Sequence, residues 1–213
     1  MYMPYAWLIL PGMLLSMWAS FHVQGTFRKY AQVNSSLGMT GAEVAAAILD
    51  RMNVTNVRIE RVSGQLTDHY NPMDKTVNLS SDVYHGNSAA SAAVAAHECG
   101  HAVQHANAYA ALKMRSSMVP AVNIAASVMN FANMFMFMGF GYSYSQGSSF
   151  ANTILLVIVI ANIALAGFAL ITLPVEFDAS NRALKWMESR GVVTNYEHGM
   201  AKDALKWAAM TYV

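Results

Sequence analysis

A mainly α membrane protein, with transmembrane helices and a small α+β portion, is the fold class that three observations predict. Apolar residues make up 55% of the 213-residue chain and charged residues 12%, about half the charged share of a soluble globular protein. Three windows are long and apolar enough to cross a bilayer core, which takes roughly 20 helical residues. Between the first and second windows lies a polar block with both helix and strand patterning.

The first window, Pro4 to Val23, contains no charge. It lacks the basic start of a secretory signal peptide, so residues 1–27 are expected to be a retained N-terminal anchor. Residues 28–116 form the polar block. There Thr40 and Glu43 have capping-box spacing and open an alanine-rich helix to about Met52. Strand-like runs follow at Val57 to Val62 and Thr76 to Leu79, separated by a polar stretch with Gly64 and Asn71-Pro72. Ser88 suits the cap of a long helix continuing to about Arg115.

Residues 117–173 are expected to form a transmembrane hairpin, from Val119 to Phe140 and from Phe150 to Leu173. Asn123, Ser127, Asn130 and Asn133 interrupt the first arm, but the first three share one helical face, where they can bond to a neighbouring helix; a buried soluble helix is the alternative reading. The methionines between Met114 and Met138 suit flexible apolar filling better than a copper pathway. Between the arms, the uncharged run 141–149 has tyrosines suited to a membrane interface. Residues 174–213 form a C-terminal helical portion.

Charge sets the orientation. All 13 Lys and Arg residues lie between Arg28 and Arg115 or between Arg182 and Lys206. By the positive-inside rule both polar blocks face the cytoplasm, and three spans put them on one side. A net charge of +1 with no basic run excludes a nucleic-acid partner, and one cysteine excludes an internal disulfide.

Glu98 is the one charged residue between Ser88 and His105, and an isolated carboxylate in such a run is costly without a partner. It belongs to His97-Glu98-Cys99-Gly100-His101, an H-E-x-x-H motif. On a helix, residues four apart differ by about 40° and about 6 Å, so both imidazoles can reach one Zn2+ ion. Glu98 on the same turn can take a proton from a water at the metal. Zinc needs a third protein ligand and an open position. Asn107 stands where the metzincin pattern has its third His, and His105 lies about 12 Å along the helix from His97. His105 therefore reads as a helix-surface or supporting residue. Carboxylates are scarce downstream until Glu176, just past the third window, where Pro174 suits the first turn of a new helix. Glu176 is the expected third ligand.

The stretches 66–70 (Leu-Thr-Asp-His-Tyr), 95–105 (the metal motif and its flanks), 173–180 (Leu-Pro-Val-Glu-Phe-Asp-Ala-Ser) and 208–213 (Ala-Ala-Met-Thr-Tyr-Val) carry a resemblance over nearly the whole chain. The chain closely resembles the YugP-type neutral zinc metallopeptidases of bacterial membranes, and is more distantly similar to the HtpX and CAAX-prenyl proteases. The resemblance implies a multi-pass protein of the bacterial cell membrane with one Zn2+ per chain, and a further apolar segment after Val213. The distant relatives have Asp four residues after their Glu ligand. This chain has Ser180 there and Asp178 two residues on, which leaves open what orients the histidines.

Ser180 shares a helical face with Glu176, so its hydroxyl can orient a ligating imidazole. Asp178 stands four residues before Arg182, as in an ordinary helix-surface ion pair. His69 is a candidate donor to an oxyanion, equally readable as a turn histidine in water. Thr76 to Leu79 suits an edge strand on which an extended peptide could pair its backbone. Together these features predict a zinc metalloendopeptidase, with zincin-like chemistry in the α+β portion and a peptide or protein substrate. The alternatives are a non-catalytic scaffold stabilised by zinc, which has no need of Glu98, and a zinc transporter, which would carry ionisable groups inside its spans.

Overall fold

The computed structural model describes residues 6–36, 38–135, 149–189 and 195–210. In chain order the elements are α1 (Ala6–Ala31), α2 (Gly41–Arg51), β1 (Arg58–Val62), β2 (His69–Asn71), β3 (Thr76–Ser80), α3 (Ser81–Tyr84), α4 (Ala89–Ala106), α5 (Ala110–Phe135), α6 (Ser149–Ser189) and α7 (Asn195–Met210). The protein is thus mostly helical with one three-stranded sheet. Residues Met1–Tyr109 with Val175–Val213 form one compact unit, and Ala110–Pro174 form a second.

Local chemistry starts the helices where the residues indicate. Thr40 Oγ1 accepts from the Glu43 amide at 3.3 Å while Glu43 Oε2 accepts from the Thr40 amide at 2.8 Å, the full capping box of α2. Ser88 Oγ accepts from the Ser91 amide at 3.1 Å and caps α4. Helix α4 ends at Ala106, not near Arg115 as expected. Ala108 adopts the left-handed region at φ 50°, its amide bonds to the His105 carbonyl, and the Tyr109 amide reaches back to that of Gln104. That is a Schellman stop, made here without glycine.

The sheet order is β1-β3-β2, with β1 and β3 parallel and β2 antiparallel to β3. This corrects the expectation of an edge at Thr76 to Leu79. Those residues lie in the central strand, and all of β3 is buried. The edges are β1 on one side and β2 on the other, the latter formed within the polar stretch that separates the two expected strands. Apolar burial explains the choice: Val77 and Leu79 are fully enclosed, whereas β2 is His-Tyr-Asn and half open.

Helix α4 runs through the middle of the first unit, and every residue from Ala89 to Gln104 is buried. Its alanines let neighbours approach closely. Val44, Ile48 and Leu49 of α2, Val77 and Leu79 of β3, Trp186 and Met187 of α6 and Leu205 of α7 share one apolar core with it. Tyr30 donates its hydroxyl to Asp203 at 2.9 Å and ties α1 to α7.

Helix α6 corrects a third expectation. Pro174 sits inside a continuous helix rather than at the start of a new one. Among the described residues one helix, Leu156–Glu188, is long and apolar enough to cross a membrane. Of the other two expected spans, residues 4–5 and 136–140 lie outside the described residues, as do most of the connecting run 141–149 and the segment 211–213.

Candidate metal centre

Helical periodicity puts His97 and His101 on one face of α4, one turn apart. Their rings meet edge to face at 85° with centroids 4.8 Å apart. Across from them α6 presents Glu176, whose Oε2 lies 3.1 Å from His97 Nε2 and 3.5 Å from His101 Nε2. The three ligand atoms all fall within 4.8 Å of one another, and all three residues are buried. Ligands about 2.0–2.1 Å from a tetrahedral zinc stand roughly 3.3 Å apart. The donor set fits such an ion, and the two separations to Glu176, 3.1 and 3.5 Å, match that spacing. Two neutral imidazoles and one carboxylate also leave a position open, as a catalytic rather than a structural zinc does.

The approach of the two helices depends on Gly100. A Cβ there would stand 2.6 Å from the Ala179 carbonyl oxygen and 3.1 Å from the Ala179 Cα. Only glycine lets α4 lie close enough to α6 for Glu176 to reach between the imidazoles.

Both outer nitrogens are held. Ser180 Oγ lies 3.1 Å from His97 Nδ1, the contact its position predicts. His101 Nδ1 is 3.0 Å from Gln104 Oε1. The Gln104 amide nitrogen donates to the Val175 carbonyl at 2.9 Å and to Asp178 Oδ2 at 2.7 Å. Asp178 also accepts from Arg182 Nε at 2.6 Å, so the expected ion pair exists and has a further partner. Gln104 was not legible as a site residue. It lies one turn past His101, but only the tertiary approach of α6 gives its amide anything to hold.

Burial opposes protonation of His101, yet the hydrogen bond to Glu176 and the charges of Glu98 and Glu176 outweigh it and raise the ring's pKa. Glu98 is itself buried, immediately beside His97. Cys99 points away from the metal face. Its Sγ lies 3.6 Å from the Ala45 carbonyl, and burial, aided by Glu98, pushes the thiol pKa up. Such a thiol is a packing group, not a nucleophile.

His105 Nδ1 lies 2.7 Å from the Tyr70 hydroxyl, so this histidine fastens β2 to α4 as a supporting residue. His69 is exposed at the start of β2, and its Nδ1 donates to the Thr67 carbonyl at 2.7 Å. It is not one of the three clustered ligands.

A buried His-His-Glu set with a second glutamate beside it on the same helix is the architecture of a zinc-peptidase type of site. A family model described as "Putative neutral zinc metallopeptidase" matches residues 5–213, and the chain belongs to that family. It is 42% identical over 211 residues to the "Putative membrane protease YugP" of Bacillus subtilis (strain 168), an alignment covering 99% of this chain and 89% of that protein. No solved structure matches the chain.

Proposed function

We propose that the chain is a membrane-embedded zinc metalloendopeptidase in which His97, His101 and Glu176 hold one Zn2+ ion and Glu98 is the general base. The observation that carries this reading is the convergence of the three buried ligand atoms within 4.8 Å, with Glu98 adjoining His97 on the same turn. When bound, zinc supplies Lewis acidity that activates water and polarises the peptide carbonyl. Glu98 accepts the proton of the attacking water and returns it to the leaving amine.

The exposed edge of β2 is the proposed docking line for an extended substrate, pairing by backbone hydrogen bonds that tolerate varied side chains. His69, at the start of that strand, is the proposed oxyanion donor. Because its Nδ1–H is already given to Thr67, it acts from Nε2 and only as an imidazolium.

Three membrane spans with the site on the cytoplasmic face complete the proposal. Its support is the one-sided Lys and Arg distribution, together with large apolar side chains left exposed on three helices. These include Leu14 and Phe21 on α1, Ile124 and Phe131 on α5, and Ile163 and Leu170 on α6. Apolar surface on that scale suits lipid better than water.

The test is the Glu98→Gln protein. It is expected to fold and to bind zinc normally while losing peptide cleavage by at least about 100-fold, the lower scale of general-base catalysis. Undiminished cleavage would sink the mechanism. Loss of zinc would instead make Glu98 structural.

A further inference from the structure

We propose that Gln104 is the positioning residue that fixes the proton of the His101 ring on Nδ1 and so keeps Nε2 bare for the metal; this rests on His101 being a zinc ligand. An amide side chain has one accepting end and one donating end. The donating end of Gln104 meets two acceptors, the Val175 carbonyl at 2.9 Å and Asp178 Oδ2 at 2.7 Å. A peptide carbonyl carries no proton, and Asp178 Oδ2 already accepts from Arg182 at 2.6 Å. Turning the amide over would set its oxygen against both of those oxygens and lose two hydrogen bonds. Amide orientation is assigned from such networks, and this one leaves a single choice.

The Gln104 oxygen therefore faces His101 Nδ1 at 3.0 Å, and an oxygen without hydrogen can be met there only by N–H. In the neutral ring the remaining nitrogen, Nε2, is then a lone pair pointing into the ligand cluster. Glu176 pulls the other way. Its Oε2, 3.5 Å from Nε2, would favour a proton on that nitrogen and a closed His–Glu pair that excludes the metal. In the neutral ring Gln104 decides that contest, because its contact at 3.0 Å is the shorter. His97 has no comparable constraint, because the Ser180 hydroxyl 3.1 Å from its Nδ1 can either donate or accept. The instruction to His101 starts at Arg182 and passes through Asp178 and Gln104, from α6 into α4. Complete burial of Gln104 keeps water from substituting for it.

The experiment uses the full-length chain in detergent. Zinc affinity is measured by competition with a chromophoric chelator, and the His101 ring is read by 15N NMR of the zinc-loaded protein. Gln104→Met keeps length and apolar volume but removes the accepting oxygen and both donors. It is expected to bind zinc about 10- to 100-fold more weakly, the usual cost of losing a ligand's supporting partner. Gln104→Glu alone sets two carboxylates face to face and is expected to bind weakly. Combining Gln104→Glu with Asp178→Asn restores a donor to the introduced carboxylate, which still accepts from His101. That pair is expected to bind zinc more tightly than Gln104→Glu alone, although the Val175 carbonyl still faces an oxygen, and a purely steric role for Gln104 would give no recovery.

Wild-type affinity in Gln104→Met, a His101 Nδ1 without a proton in the zinc-loaded protein, or a double variant no better than Gln104→Glu alone would each overturn the proposal. If Gln104→Met fails to fold, the comparison of Gln104→Glu with the double variant decides. Zinc retained by His101→Ala would instead show that the metal reading itself is wrong.

Discussion

Gly100→Ala adds one methyl group where α4 crosses α6, and its effect follows from two distances. The new Cβ would lie 2.6 Å from the Ala179 carbonyl oxygen, about 1 Å short of the roughly 3.5 Å at which nonbonded atoms sit comfortably. Both contacting groups are helix backbone, so no flexible side chain can absorb the shortfall and the helices must separate or rotate. Metal–ligand distances tolerate only about 0.2 Å. A displacement of that size therefore draws Glu176 away from the two imidazoles. The stability change is a smaller difference between opposing effects. Overpacking costs about 1–3 kcal/mol, and replacing a helical glycine with alanine returns about 1 kcal/mol. Chelator competition on the purified chain is expected to show zinc affinity reduced at least about tenfold, the lower scale for disturbing a ligand's support. Thermal unfolding of the metal-free protein is expected to change little or fall by up to about 2 kcal/mol. Unchanged zinc affinity with a gain of about 1 kcal/mol is what an open helical glycine would give, and it would refute the close helix contact.

Two further outcomes follow. Single cysteines introduced as Ser145→Cys and Lys185→Cys should be labelled from opposite sides of the membrane, with native Cys99 silent because it is buried; labelling of both from one side would overturn the three-span topology. Ala108→Gly should raise the unfolding free energy by roughly 0.5–1 kcal/mol in denaturant titration, because it relieves a left-handed residue worth about 1–2 kcal/mol of strain while adding unfolded-state entropy. A destabilised variant would mean that α4 does not end in the Schellman stop.

The parts of this molecule legible in the sequence are those decided by neighbours in the chain. Thr40 with Glu43 and Ser88 with Ser91 need only local geometry, and the structure forms both caps. His97 and His101 are paired by the helical repeat, and the scarcity of downstream carboxylates leads to Glu176, which joins them in the structure. What was not legible depends on the rest of the fold. The break after Ala106 escapes notice because alanine, the best helix former, occupies the left-handed position where glycine or asparagine would announce a stop. By contrast, Asn53 at φ 54° after α2 is such a signal. Pro174 reads as a helix start, yet the helix continues through it. The short strand β2 has no apolar alternation of its own and exists because β3 offers a partner. Gln104 gains its importance from the approach of α6, which no spacing along α4 encodes.

The most direct test of the account is the zinc content of the purified full-length chain and of its Glu176→Ala form, since Glu176 is the ligand brought from another helix. One three-ligand site predicts about one zinc per chain in the wild type and its loss in Glu176→Ala, with the variant still folded. Full zinc affinity in Glu176→Ala would contradict the proposed metal centre.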